Sequence, residues 1–582
     1  MGTGFMIDAP LRVAKYGISS AISLVDDVLI EQMRKFHCER EGEPYEEIAS
    51  DDEDVRARRI TAYLNLLDRL VGRQVDALRA SPFETGSEIT RYFEMLPDSP
   101  LSRAYHEMLA TDDASRRRER QEWLRRQVVP GTIDVNIMSK GDRDAYRNGE
   151  KLSSRFSDAS AALRGYAEST VRSSIIFSAG INPRLYGYVA EFDDFFHDAD
   201  GQVKKKIVLK VSDYHSAAVQ GRFFAKHGLW ISEYRIESGL NCGGHAFATK
   251  GLLLGPILDE FCQKKEALAE QLHATYSRSL SRRGRPVPSE PRDIRLTVQG
   301  GIGTAAEDTL LRESYGVDGT GWGTPFLLVP EVTNVDDEHL EKLRAVSDGD
   351  VYLSDSSPFG IPFWNLRTSA SEEARRRRIA DGCPGSVCTR GYVKLFNTEF
   401  TSRPICTASR QYQQLKLREL EQNDMNEQQR EEARRSILAK SCICHDLAGA
   451  ATLKHGIDPE ATSAVCCGPN ITCFSKIATL EEMVGHIYGR TSLMADPNRP
   501  HVFLRELALY IDYLRGELKQ YELGFSSNTP DYFREFKENL ADGIDYYRRM
   551  AQTSFAHEGD RFLKELQSLR ETLDAIVLAS VS

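Results

Sequence analysis

The sequence predicts an α/β protein: a (β/α)8 TIM barrel carrying a helical insertion and a C-terminal extension that is first Cys-bearing and then helical. Three observations predict it. Between Gly131 and Val332, short β-branched runs alternate with helical stretches, the pattern of parallel strands covered by helices. Two late strand candidates each end in a glycine turn of the phosphate-binding type. The 582 residues exceed a single barrel of roughly 250 residues, so the barrel must carry additions. An open doubly wound sheet is the competing architecture.

The elements follow in chain order. Met6 to Leu29 reads as a short apolar strand, a glycine turn at Tyr16-Gly17-Ile18-Ser19-Ser20 and a helix opening at Asp26 and Asp27. Residues 1–40 are therefore assigned to the barrel. In residues 41–128 charged helix formers carry Ile60, Leu64, Leu67, Val71, Val75 and Leu78 at spacings of three and four, which marks a helical insertion. Its Arg116 to Arg126 end is basic, but glutamates interrupt it and aromatics are nearly absent, so it reads as a solvated face.

The barrel resumes over residues 129–375. Strands are predicted at Ile133–Met138, Ser174–Phe177, Ile207–Val211, Leu229–Ile236, Leu296–Gln299 and Gly316–Thr320, with a further candidate at Val351–Leu353. Helices are predicted at Ser216–His227, Leu252–Leu280 and Ala305–Tyr315. Residues 376–480 form a cysteine-bearing region around one charged helix, Gln411–Lys440. Residues 481–582 return to amphipathic helix, with Phe503, Leu507, Ile511 and Leu514 on one stripe and Phe562, Leu566, Leu569, Leu573 and Ile576 on another.

Composition narrows the function. With 75 basic and 86 acidic side chains the net charge is −11, which argues against a general nucleic-acid binder. At 41% apolar and 28% charged residues the chain can bury a large core, and no apolar run reaches the roughly 20 residues that cross a bilayer. Met1 to Pro10 lacks the regions of a secretory signal, so a cytoplasmic protein without membrane or nucleic-acid partners is expected. No Gly-x-Ser-x-Gly elbow, Walker loop or His-Glu-x-x-His helix occurs, and the Asn470-Ile471-Thr472 sequon would be idle in the cytosol.

The strongest chemical signal is Leu296-Thr297-Val298-Gln299-Gly300-Gly301-Ile302-Gly303-Thr304, a strand entering glycines and then a helix. Backbone amides in such a turn, backed by a helix dipole, suit a phosphate. Gly316 to Phe326 repeats the arrangement about twenty residues on, matching the phosphate site that barrels build after strands seven and eight. Gly301-x-Gly303-x-x-Ala306 also fits a relaxed dinucleotide fingerprint with Asp318 as ribose ligand, which keeps an NAD(P)-dependent dehydrogenase as an alternative. A third constellation, Tyr234 to His245, is a strand ending in a flexible turn, Gly243-Gly244-His245. A histidine there has the pKa and the barrel-mouth position of a general base.

In this order the motifs resemble the flavin-dependent nitronate monooxygenases, or 2-nitropropane dioxygenases, and the related flavin enoyl reductases. The resemblance rests on Gly243-Gly244-His245, Gly300-Gly301-Ile302, Gly316-Val317-Asp318-Gly319 and Gly323-Thr324-Pro325-Phe326, with Ile133 to Ile137 like the family's early strand ending in asparagine and Gly17-Ile18-Ser19 like its first turn. It implies FMN at the barrel mouth, phosphate on the amides of Gly301, Gly323 and Thr324, and His245 as base toward a small carbon acid, a nitronate, or an activated alkene. The implied cofactor contacts are Gly17, Asn136, Gly239, Gly243, Gly244, Gly300, Gly301, Gly323 and Thr324. Ser238 and Asn241 stand where the family has glutamine and glutamate, and the insertion and tail are foreign to its simple members.

Eight of the 11 cysteines fall between Cys383 and Cys473. Two alternatives stand for them. Four, with Cys388, Cys406, Cys444 and Cys466 the preferred set, bind an iron–sulfur cluster that exchanges electrons between FMN and a donor protein, or a zinc. Otherwise they pack as small hydrophobes. A different class of function is a catalytically inactive, metal-stabilised barrel serving as a binding scaffold.

Overall fold

The computed structural model describes residues 3–139, 142–147, 150–198, 200–242, 249–358, 360–387, 397–554 and 559–578. Seven strands form one sheet: β1 (Ser20–Ser23), β2 (Ile133–Ile137), β3 (Ser174–Phe177), β4 (Lys206–Val211), β5 (Ile231–Glu237), β6 (Arg295–Gln299) and β7 (Gly319–Gly321). All neighbours are parallel and the spatial order is the chain order. A doubly wound sheet reverses its strand order at a switch point, so the sequential order agrees with barrel-type winding. Among the described residues no strand pairs with the outer edge of β1 or β7, and the arrangement is a curled, seven-stranded parallel sheet rather than a closed eight-stranded barrel. The candidate eighth strand is instead β8 (Val351–Ser354), which pairs antiparallel with β9 (Phe363–Leu366) in a separate hairpin.

Helices follow the strands as expected: α1 (Asp27–Glu41) after β1, α3 (Asp158–Ala167) after β2, α4 (Pro183–Val189) after β3, α5 (Tyr214–Lys226) after β4, α6 (Leu254–Arg282) after β5 and α7 (Ala305–Tyr315) after β6, with α2 (Val55–Ala80) belonging to the insertion. The period of two along each strand divides the sheet chemically. Ile133, Val135, Ile137, Ile207, Leu209, Val211, Tyr234, Ile236 and Leu296 are buried in the main apolar core. Their neighbours Asp134, Asn136, Lys206, Lys210, Glu233, Arg235, Glu237, Arg295, Thr297 and Gln299 line a cavity of about 1360 Å³ on the other face. A packed barrel interior could not hold this many charges without a large desolvation cost, whereas a cavity open to water can.

The apolar stripe of residues 41–128 packs inward. Ile60, Leu64, Leu67, Val71, Val75 and Leu78 are all buried, in the same core cluster as the strands. Gly165 of α3 lets α2 approach closely, since a Cβ there would stand 2.7 Å from the Ala57 carbonyl oxygen. In the arginine-rich helix Ala114–Gln127 only Leu124 is buried. At the C-terminal end, α8 (Leu480–Ile487), α9 (Val502–Glu522), α10 (Pro530–Ser554) and α11 (Gly559–Asp574) dock on the sheet unit. The anticipated stripes face inward: Phe503, Leu507, Ile511, Leu514, Phe562, Leu566 and Leu573 are buried. Tyr547 of α10 accepts the Gly255 amide at 3.1 Å through its hydroxyl, which ties the tail to α6.

Two local readings are corrected. The apolar run before Gly17 is not a strand; Pro10–Val13 and Ala14–Tyr16 are helical turns, and β1 begins after the glycine. The single helix expected over Gln411–Lys440 is two, Arg410–Gln422 and Glu427–Ala439, because Asn423 is extended and Asn426 opens a new helix with a capping box to Gln429.

Candidate functional site

Parallel strands deliver their C-terminal residues to one rim, which is where barrel and α/β enzymes place chemistry. Here that rim carries Asn136 from β2, Lys210 from β4, Glu237 from β5 and Gln299 from β6, all lining the cavity. Glu237 is the hub. Its Oε1 lies 3.1 Å from the Lys210 ammonium and accepts from Asn241 Nδ2 at 2.6 Å and from Gln299 Nε2. Three donors on one oxygen hold the carboxylate in place. Asn136 differs: its Oδ1 is buried and accepts no hydrogen bond among the described residues, an acceptor left open at the cavity.

The two glycine turns sit side by side and are treated differently. At the end of β7, Gly321, Trp322 and Gly323 line the cavity together with Asn241 and Cys242, while Thr324 behind them is buried. After β6, the Gly300–Gly303 turn is covered by the C-terminal extension. The Arg499 guanidinium donates to the Gly301 carbonyl, to Asn470 Oδ1 at 3.1 Å and to Glu307 Oε1 at 2.6 Å. Asn470 Nδ2 donates to the Ile302 carbonyl at 2.8 Å, and His486 Nε2 to the Gly303 carbonyl at 2.9 Å. Two amides of the turn are also engaged: Gly303 donates to Glu307 Oε2 at 2.8 Å and Glu307 to Thr304 Oγ1 at 3.2 Å. Space is filled as well, since a Cβ on Gly301 would stand 2.5 Å from Leu240 Cδ1 and 3.1 Å from Val502 Cγ2.

The electrostatics of this seal follow from burial. Burial alone would raise the Glu307 carboxyl, but the Arg499 charge and the bonds from Arg499 and Gly303 hold it below the ordinary carboxylate range. His501, buried beside it, is pushed down to about 4 and is therefore neutral at pH 7. One turn further along α9, Glu506 is buried and pushed up to about 7, accepting from Ser238 Oγ at 2.8 Å and from the Leu254 amide at 2.7 Å.

The predicted contacts have different surroundings. Asn136 and Gly323 face one cavity, which Gln299 also lines, and Thr324 adjoins Gly323. Gly301 lies under the tail, whereas a Cβ on Gly300 would meet the Asn241 amide at 2.8 Å. Gly239 is packed by Tyr510, 2.6 Å from where its Cβ would be. Gly17 precedes β1 and so lies at the opposite end of the sheet. Gly243, Gly244, His245 and Cys388 lie outside the described residues. Asp318, the proposed ribose ligand, accepts the Leu296 amide at 2.7 Å at the beginning of β7, away from the strand ends that hold ligands.

Among the described residues no three histidines, cysteines, aspartates or glutamates form a group able to hold a metal ion. Cys466 packs with Phe363, Leu447 and Ala464, and Cys467 lies in a second apolar cluster with Ile471 and Phe474. Cys406 accepts from the Ala408 amide at 3.4 Å, and Cys444 lies 4.0 Å from Cys442, sulfur to sulfur. Packing as small hydrophobes describes the buried ones.

Sequence reasoning assigns no role to Lys210, Glu237, Arg499 or Glu506. Glu233-x-Arg235-x-Glu237 alternates charge with period two, which marks a polar strand face and could have revealed the cavity wall. Nothing local announces Arg499, 198 positions from the carbonyl it caps.

No protein-family model and no curated protein matches the chain. Among solved structures it is similar to the enoyl reductase domain of MlnA from the macrolactin biosynthesis cluster of Bacillus amyloliquefaciens, at 15% identity and a TM-score of 0.32, over 77% of this chain and 88% of that one. It is also similar to a nitroalkane oxidase from Streptomyces ansochromogenes, at 10% identity and a TM-score of 0.29, over 67% and 85%. Likeness of this extent assigns neither a family nor an activity.

Proposed function

We propose that the protein is a flavin-dependent oxidoreductase that binds FMN in the cavity at the C-terminal ends of β2 and β4–β7 and acts on a small carbon acid of the nitronate kind or an activated alkene. The observation that carries this reading is the convergence of Asn136, Glu237, Gln299 and Gly323 from four strands on one cavity. The fit to FMN is divided. The Gly321–Thr324 turn suits a phosphate, and the open Oδ1 of Asn136 suits a ring N–H donor. The Gly300–Gly303 turn does not fit, because the chain already fills it, so Gly323 and Thr324 rather than Gly301 would hold the phosphate. Bound flavin would supply the electron-accepting chemistry. The chain's part is to orient: Glu237, fixed by Lys210, Asn241 and Gln299, sets the polarity of the rim, and His245 is assigned the proton transfer.

The test is the visible spectrum of the protein purified without oxygen, followed by FMN titration read by quenching of flavin fluorescence. Oxidised-flavin bands or saturable uptake are expected. A colourless protein that takes up no FMN overturns the reading and leaves the second one, an inactive barrel that serves as a binding protein. The sealed Gly301 turn is the observation that favours that alternative. His245→Ala should abolish turnover while FMN stays bound.

A further inference from the structure

The cavity has a second end, at the N-terminal starts of the strands, and its chemistry is cationic. Arg172, Lys204, Lys206, Arg292 and Arg295 line it there. Alternation along each strand explains why they share a wall: Arg172 is two residues before Ser174, Ser174 pairs with Lys206, and Arg295 pairs with Glu233. Lys204 is paired with Asp194 at 2.7 Å, and Arg292 donates to the Gly201 carbonyl at 2.7 Å. Arg172, Lys206 and Arg295 have neither a hydrogen-bonded nor a carboxylate side-chain partner among the described residues.

The acids on this wall do not neutralise them. Glu233 is bound by Arg235 at 2.7 Å and by Thr297 Oγ1 at 2.6 Å. Asp134 accepts the Ser174 amide at 2.8 Å, and burial raises its pKa. Asp293 is 4.0 Å from Lys265. In a chain of net charge −11, three uncompensated cations at one cavity mouth form a local reversal of sign, and such a concave patch concentrates anions.

We propose that this end of the cavity binds a phosphorylated small molecule carrying two or more phosphates, held by Arg172, Lys206 and Arg295. The spacing argues for more than one phosphate. Lys206 and Arg295 start strands separated by β5, so their backbones stand about 10 Å apart, too far to share one phosphate without extending both side chains. Arginine matches phosphate oxygens in pairs, and lysine adds a point charge. A concave site at a cavity mouth, lined from several strands, favours a small ligand over a nucleic-acid backbone, which needs an extended basic stripe. Trp230 stands in the same wall, its indole N–H donating to the Asp293 carbonyl at 3.2 Å, and offers a fluorescence signal.

The test uses the full chain with inorganic pyrophosphate and a nucleoside diphosphate as probes, by calorimetry and tryptophan fluorescence, at low and at moderate salt. Saturable binding is expected, weakened by added salt and at least tenfold weaker in the Arg172→Gln/Arg295→Gln double variant; Arg172→Lys should retain most of it. Both substituted residues are exposed, and an unchanged thermal melt shows that the double variant is folded. Binding of both probes, or of the nucleotide alone, supports the site. No binding of either, undiminished binding in the double variant, or tighter binding of a single-stranded RNA than of either probe overturns it. FMN that displaces pyrophosphate would also overturn it, since the cations would then belong to the flavin site; FMN uptake unaffected by the double variant keeps the two ends distinct.

Discussion

Gly300–Gly303 after β6 and Gly321–Thr324 after β7 both follow a short strand with glycines and a helical turn, and in sequence they look like two halves of one phosphate site. In the folded chain their surroundings differ in degree, since the second turn is touched by His486 at Trp322 and by Gly468 at Thr324 but keeps one side on the cavity. The first is closed by residues from three tail segments, around Asn470, His486 and Arg499, and its Gly303 amide is bonded to Glu307. The second meets the cavity through Gly321, Trp322 and Gly323. A glycine turn is thus a permission for close approach, and what approaches can be a ligand or the chain itself.

The comparison breaks most sharply at Arg499. Arg499→Ala would leave Glu307 as a buried carboxylate without its cation, a loss of about 3–5 kcal/mol. Urea unfolding should show the midpoint falling accordingly; a loss under about 1 kcal/mol would mean that the seal contributes little and the turn is open in solution. Arg499→Ala/Glu307→Gln should recover part of the loss, since the stranded charge is removed with its partner.

Glu506 comes next, from the helix whose N-terminus forms the seal. Its pKa is about 7 in the fold against an ordinary value of 4.5, so it binds its proton more tightly folded than unfolded. Its contribution to stability is then full below pH 4.5, falls as pH rises, and is lost above pH 7, where the buried charge costs roughly 3 kcal/mol. Stability measured at pH 5 and pH 8 should differ less in Glu506→Gln than in the natural protein. Equal pH dependence in both would place the titration elsewhere.

How much of this was legible beforehand depended on how local its cause is. β3 and α7 were read to the residue because a β-branched run and a Thr-capped amphipathic stretch carry their own signals. The stripe from Ile60 to Leu78 was legible for the same reason. β1 was misplaced because Phe5, Ile7 and Val13 are as buried as strand residues, although Pro10 opens a helical turn there. The open rim residues are half legible: Asn136, Glu237, Gln299 and Gly323 lie in the motifs, though without a role read for Glu237, and Lys210 lies outside them. The closure was not legible at all, since Arg499, Asn470 and His486 reach the first turn only through the docking of the whole tail.

Gly301→Ala tests that closure sterically. The residue has φ +78°, which disfavours a side chain, and the new methyl would overlap Leu240 and Val502. Strain and overpacking together should cost about 2–3 kcal/mol, and FMN uptake per folded molecule should be unchanged. Reduced uptake with full stability would be the opposite result and would return the first turn to the cofactor.

The smallest stability effect and the most informative binding effect belong to Gly323→Ala. Gly323 has φ −126°, a conformation open to alanine, and its Cβ would meet only Cys242 Sγ at 3.2 Å. Cys242 is partly exposed at the cavity and can give way by a few tenths of an ångström, so stability should change by less than about 1 kcal/mol. A phosphate seated on the Gly323 and Thr324 amides has no such freedom, because a methyl between amide and oxygen lengthens contacts that must be near 2.9 Å. FMN affinity should therefore drop at least tenfold in Gly323→Ala while the melting temperature holds. If affinity and stability both stay put, the open turn is as empty of function as the sealed one, and the two turns differ only in which of them the tail happens to cover.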